Sequence, residues 1–185
     1  MTSPVHLESP TDSKNKAAVL FHSYSRHLTA KHGGKTYKIV VASGLSCPVR
    51  CGFCDIRGSS SFHGKSGRGK DVADQLAARL PKIRERFGAT RFLAYFQSHT
   101  NTYAPTDQLE ELYTAALSAP DIDGLCIGTR PDCLPEPTLQ LLNRLAFRKP
   151  ITLELGIQSL DDATLEFLGR GHSAECSRDA LARLA

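Results

Sequence analysis

The chain has 185 residues, 41% hydrophobic and 23% charged, with a formal net charge of +4, the composition of an ordinary globular protein of one domain. No apolar run reaches the roughly 20 residues that span a bilayer, and MTSPVHLESP at the start lacks the apolar stretch of a secretory signal; a cytoplasmic protein with no membrane partner is expected. Six cysteines in such a chain point to metal binding before disulfides, because cytosolic thiols stay reduced.

Residues 1 to 35 carry Ser, Thr, Pro and Lys, four of the histidines (His6, His22, His27, His32) and one short apolar patch, Ala17 to Phe21. They read as an N-terminal extension, partly disordered, with a core domain over 36–185. Lys38 to Ala42 is a β-branched run stopped by Ser43-Gly44, as a buried strand would be. Leu45 to Lys70 is loop-like, rich in Gly and Ser without apolar period. Asp71 then serves as a plausible N-cap for an amphipathic helix over Val72 to Phe87, ended by Gly88 and kinked or split at Pro81.

Arg91 to Phe96 reads as a second strand, and Thr106 starts a helix whose Leu109, Leu112, Tyr113, Ala116 and Leu117 share one face. Gly124 to Gly128 is a third strand, Pro135 to Phe147 a helix facing inward with Leu139, Leu142 and Leu145, and Ile151 to Ile157 a fourth strand. Asp161 or Asp162 opens a further helix, and Ser173 the last. Strands alternating with helices imply right-handed crossovers and a parallel sheet, hence an α/β fold. About four βα units make only part of a (β/α)8 barrel, which takes about 250 residues. The expected architecture is therefore a partial (β/α) barrel. The helical pattern runs to Leu184-Ala185 without a Gly or Pro stop, so a C-terminally truncated member of a longer family is expected.

Cys47-Pro-Val-Arg-Cys51-Gly-Phe-Cys54 sets three thiols within one short loop after the first strand, where parallel α/β sheets build their sites. Three adjacent thiolates repel unless a thiophilic centre joins them. Zinc would need a fourth ligand, for which His63, Cys126 and Cys133 are candidates. A cubane on three thiolates would instead leave one iron open to a substrate. Both remain open on the residues alone.

The spacing C-x3-C-x2-C with Phe53 before the last Cys resembles the signature of the radical S-adenosylmethionine (SAM) superfamily. Further runs point to one branch: Ala94 to Pro105 (AYFQSHTNTYAP), Ile127 to Pro135 (IGTRPDCLP), Glu154 to Ser159 (ELGIQS) and Arg170-Gly171-His172 are similar to the YhcC/YtqA-like group. Its core is similar to that of the tRNA-modifying Elongator catalytic subunit. The resemblance covers Lys35 to the C-terminus. It implies a [4Fe-4S] cluster on Cys47, Cys51 and Cys54 that binds S-adenosylmethionine and splits it reductively to methionine and a 5'-deoxyadenosyl radical. It also implies an external electron donor of flavodoxin or ferredoxin type, and an RNA substrate by analogy. The chain departs from the group in its compact first cysteine spacing, and Gln97-Ser98 stands where the superfamily usually has Gly-Gly-Glu.

The resemblance gives cofactor contacts to Phe53 through its backbone at the adenine, to Gln97 and Ser98 at the methionine end, to Arg130, and to Glu154, Gln158 and Ser159 near ribose or substrate. From the residues themselves, Gln97, His99, Thr100, Asn101 and Tyr103 form a polar run that is either an active-site wall or turn capping. Arg130 and Asp132 suit an ion pair. Glu154 and Gln158 would share a strand face, and a buried Glu is costly unless paired. Cys126 reads as a small buried hydrophobe; Cys133 and Cys176 carry no assignment. The loop Arg57 to Lys70, basic and without an acidic residue, suits either a phosphate backbone or plain solvation; His63 within it either reaches a metal or substrate or is simply solvated. A rival to the enzyme is a non-catalytic zinc or iron-sulfur module descended from one.

Overall fold

A computed structural model of the chain describes residues 23–54 and 68–185. The order of elements is α1 (Tyr24–His32), β1 (Thr36–Val41), α2 (Gly69–Phe87), β2 (Arg91–Phe96), α3 (Thr106–Ser118), β3 (Ile122–Thr129), a 3-10 turn (Pro131–Cys133), α4 (Glu136–Ala146), β4 (Ile151–Leu155), α5 (Asp162–Phe167) and α6 (Ala174–Leu184). The strands form one parallel sheet in the order β1-β2-β3-β4. Chain order equals sheet order because each crossover helix returns the chain one strand further along the same face.

The two faces separate by the strand period of two. Ile39, Val41, Phe92, Ala94, Phe96, Leu125 and Ile127 point to one side, where Val72, Leu76, Leu109, Leu112, Tyr113, Leu141 and Leu145 of α2, α3 and α4 close the main core. Lys38, Leu93, Tyr95, Cys126 and Glu154 belong to the other. There Leu28 of α1 packs with Leu93 and Cys126. Among the described residues no helix is long and apolar enough to cross a membrane.

Several boundaries differ from the sequence reading. The helix expected from Val72 begins at Gly69, so Asp71 lies in its first turn and is not the cap. The Gly69 amide is met instead by Glu111 Oε1 of α3 at 2.7 Å. A long-range carboxylate has replaced the local cap. Pro81 sits inside α2 without splitting it: Val72, Leu76 and Leu80 anchor the helix before it, and Ile83, partly buried, packs on the same core after it. In α4 the buried leucines are Leu141, Leu142 and Leu145, and Leu139 is only half-buried. The fourth strand stops at Leu155, not Ile157. α1, absent from the sequence reading, runs from the Ser23 cap through residues assigned to the extension. Most of the extension expected to be partly disordered, with His6, His22 and the patch at Ala17 to Phe21, lies outside the described residues.

Candidate metal centre

Strand β1 ends at Val41 and delivers the cysteine loop to the carboxyl edge of the sheet. Two tethers hold that loop. The Gly52 amide donates to the Leu168 carbonyl at 2.9 Å, and Val49 packs against Gly171, whose φ is +71°. A Cβ at Gly171 would stand 2.9 Å from Val49 Cγ1, so the position needs glycine both for its left-handed backbone and for space. Cys47 Sγ lies 3.0 Å from Thr100 Oγ1. The Cys54 amide turns back to the Cys51 carbonyl at 3.1 Å. Cys51 is buried, Cys47 half-buried and Cys54 exposed.

Two arginines converge on Cys51. Arg170 Nη1 donates to its Sγ at 3.1 Å and Arg130 Nη1 approaches at 3.8 Å. Their residues are 5% and 4% exposed. Arg130 forks onto Asp132 through Nε and Nη2 at 2.9 and 2.8 Å and also donates to the Arg170 carbonyl. Arg170 Nη2 donates to the Gly156 carbonyl, and its guanidinium lies 5.9 Å from the centre of the Phe53 ring. Burial pulls the Arg130 pKa down, but the Asp132 hydrogen bonds and charge outweigh it and leave it raised. Among the described residues two guanidinium charges thus face one carboxylate around a sulfur, with Arg170 Nε buried and lacking a partner.

The polar run after β2 divides. Asn101, fully buried, is a latch: its Nδ2 donates to the carbonyls of Phe96, Ser98 and Gly128 at 3.1, 3.1 and 3.0 Å, while Oδ1 accepts from Ser43 Oγ at 2.6 Å. One side chain ties the carboxyl ends of β1, β2 and β3. It also holds Ser98 and His99 at φ of 67° and 65°, a conformation that side chains rarely adopt. Thr102 is buried against Thr129 Oγ1 and the Cys133 carbonyl. Gln97 and Tyr103 are exposed on the rim.

Glu154 lies on the sheet face opposite the main core, here called the inner face, and not among the rim residues. It is ion-paired with Lys38 and accepts from Tyr95 Oη at 2.6 Å, and the Lys38 ammonium sits 3.9 Å from the Tyr95 ring centre. Burial alone would raise the Glu154 carboxyl, but hydrogen bonds from Lys38 and Tyr95 and the Lys38 charge hold it below the usual carboxylate range. Burial and the same bond push the Tyr95 phenol up. Gln158 does not share the Glu154 strand face: β4 has ended, and Gln158 is exposed with φ of 70°. Ser159 Oγ accepts from the Asp161 amide at 3.1 Å, a turn contact leading to α5.

Among the described residues no three His, Cys, Asp or Glu side chains converge on a point that could hold a single metal ion. Cys126 and Cys133, candidates for a fourth zinc ligand, are buried thiols; burial, then the Asp132 charge, pushes Cys133 up to about 11, and burial raises Cys126. The third candidate, His63, lies outside the described residues with most of the basic loop. A polynuclear cluster spreads its ligands over separate irons and needs no such convergence. Three soft donors in one loop, beside a cationic surplus that suits an anionic centre, fit such a cluster. Sequence reasoning assigned no role to Arg170, Lys38 or Tyr95. The signals were there: Arg170 stood in a quoted motif, and Lys38 interrupted an apolar strand.

A family model described as the radical SAM superfamily matches residues 41–185. The chain is 36% identical over 166 residues to YhcC of Escherichia coli (strain K12), covering 85% of this chain and 52% of that protein. It is 32% identical over 172 residues to YtqA of Bacillus subtilis (strain 168), covering 89% and 53%. The chain spans about half the length of the curated relatives it matches. Among solved structures, Elp3 of Methanocaldococcus infernus with its N-terminus deleted (1-46) superposes with a TM-score of 0.50 at 20% identity, over 78% of this chain and 34% of that one.

Proposed function

We propose, on the premise that this chain belongs to the radical SAM superfamily, that residues 36–185 form a partial (β/α) barrel core that holds a [4Fe-4S] cluster and cleaves S-adenosylmethionine. Cys47, Cys51 and Cys54 are the ligands. When bound, such a cluster supplies the single electron that splits the sulfonium of S-adenosylmethionine into methionine and a 5'-deoxyadenosyl radical. The observation that carries this reading is the Cys51 sulfur set between two buried guanidinium groups, at the carboxyl edge where α/β sheets place their ligands.

The protein's own residues position and shield. The Gly171–Val49 contact and the Gly52–Leu168 bond fix the loop, Asn101 fixes the rim, and Phe53, half-exposed, offers its backbone to the adenine. Gln97 and Ser98 are assigned to the methionine end, Arg130 to the cluster side, and Gln158 and Ser159 to the ribose or substrate edge. Glu154 reaches that edge only if a ligand competes with Lys38 and Tyr95. An external donor of flavodoxin or ferredoxin type supplies the electron. An RNA substrate is part of the proposal, and a net charge of +4 suits a phosphate backbone.

The test is anaerobic reconstitution of the full chain with iron and sulfide, followed by reduction with S-adenosylmethionine present. Brown protein with about four irons per chain and accumulation of 5'-deoxyadenosine are expected. Cys51→Ala should retain no cluster. Stoichiometric zinc with refusal of iron and sulfide would sink the reading, and an intact cluster without 5'-deoxyadenosine would favour the non-catalytic module.

A further inference from the structure

We infer that Arg170 and Arg130 are positioning residues that hydrogen-bond the Cys51 sulfur and raise the reduction potential of the cluster ligated there. The inference rests on the cluster reading above, and it deepens that reading by assigning the site's redox poise to two side chains outside the cysteine motif.

A buried guanidinium without compensating charge is expensive, and buried arginines normally meet carboxylates in pairs. Here Arg130 takes both oxygens of Asp132. Among the described residues Arg170 meets no carboxylate: its donors go to the Gly156 carbonyl and the Cys51 sulfur, and its Nε has no partner. The sulfur is therefore the group on which Arg170's charge is directed. Its neighbours reinforce the aim. The Arg170 carbonyl is held by Arg130, and the turn that carries Arg170 also holds the Gly52 amide of the cysteine loop through Leu168. The donor and the loop it serves are thus locked to one another.

The consequence is electrostatic. When a low-potential donor gives up one electron to the cluster, the site gains one negative charge and no proton is required. Cationic donors on a ligand sulfur stabilise the more negative state more strongly, so their removal shifts the potential downward. Charge falls off with distance, and 3.1 Å against 3.8 Å ranks Arg170 above Arg130. Arg130 is further compensated by Asp132.

The experiment uses the full chain, reconstituted anaerobically, as wild type, Arg170→Gln, Arg170→Lys and Arg130→Gln. Iron, sulfide and the midpoint potential are measured, the last by a dithionite titration followed by electron paramagnetic resonance. Arg170→Gln should shift the one-electron equilibrium up to about tenfold towards the oxidised form, about 59 mV more negative. Arg170→Lys, which keeps the charge but not the fork, should shift it less, and Arg130→Gln less than Arg170→Gln. Proton ENDOR of reduced wild type should show strongly coupled exchangeable protons that vanish after preparation in D2O. Variants with full iron and sulfide at the wild-type potential would overturn the inference and leave the cluster reading standing. Should both Arg170 variants lose the cluster, the wild-type ENDOR decides, and missing exchangeable couplings overturn it. Wild type that takes up no iron and sulfide sinks the cluster reading itself, and this inference with it.

Discussion

The carboxyl edge of the sheet and its inner face each bury charge, and they resolve the cost in opposite ways. On the inner face Lys38 and Glu154 balance one another, and Tyr95 completes the carboxylate's hydrogen bonding. At the edge, Asp132 is the one carboxylate among the described residues that Arg130 and Arg170 face, and the excess charge is aimed at a cysteine sulfur. A neutral, satisfied network holds a fold together without a ligand. A surplus of one sign, kept in place by glycine and carbonyl contacts, is what a site for an anionic centre requires.

The comparison breaks first at the latch. Asn101→Ala removes the side-chain bonds to Ser43, Phe96, Ser98 and Gly128 and leaves the buried Ser43 hydroxyl without its acceptor, which should cost about 3 kcal/mol in urea unfolding and weaken iron retention with it. An Asn101→Ala protein of wild-type stability would show that the edge is not held from this residue. Gly171→Ala forces a Cβ to 2.9 Å from Val49 at φ +71°, at a cost of about 2 kcal/mol. Its effect on iron content should exceed that of any equally destabilising core change, because the strain falls on the cysteine loop. Lys38→Met sharpens the contrast from the other side: it should cost about 1 kcal/mol, the pair being partly solvated, and leave iron content unchanged.

The same pair sets an acid dependence. Glu154 is held below its ordinary carboxylate value of about 4.3. Its contribution is therefore present above the unfolded value and lost as pH falls through the folded one. The stability difference between wild type and Lys38→Met should shrink below about pH 4, as read by thermal unfolding at pH 7 and at acid pH. A difference that grew on acidification would show that the carboxylate is not stabilised by the lysine.

Legibility followed the range of the interactions. β2 and the buried face of α3 were read to the residue, since strand and helix periods are local. α1 escaped because among the described side chains of YSRHLTAKH Leu28 is the one buried anchor, and a single anchor makes no period. The start of α2 was misread because the group meeting its first amide comes from Glu111. Thr100 and Asn101 stood in a run read as either wall or cap, and the fold makes Asn101 a latch and sets Thr100 against Cys47. Gln158 was given a strand face by a period that had ended at Leu155.

By itself the sequence determined the α/β alternation, the three thiols in one loop and the family, because each is written in consecutive residues or short spacings. Only the tertiary structure decided that Arg170 meets Cys51 across 119 positions of chain and that Lys38 meets Glu154 across 116. Charges buried by folding must find partners wherever the sheet brings them, and no local pattern records which partner that will be.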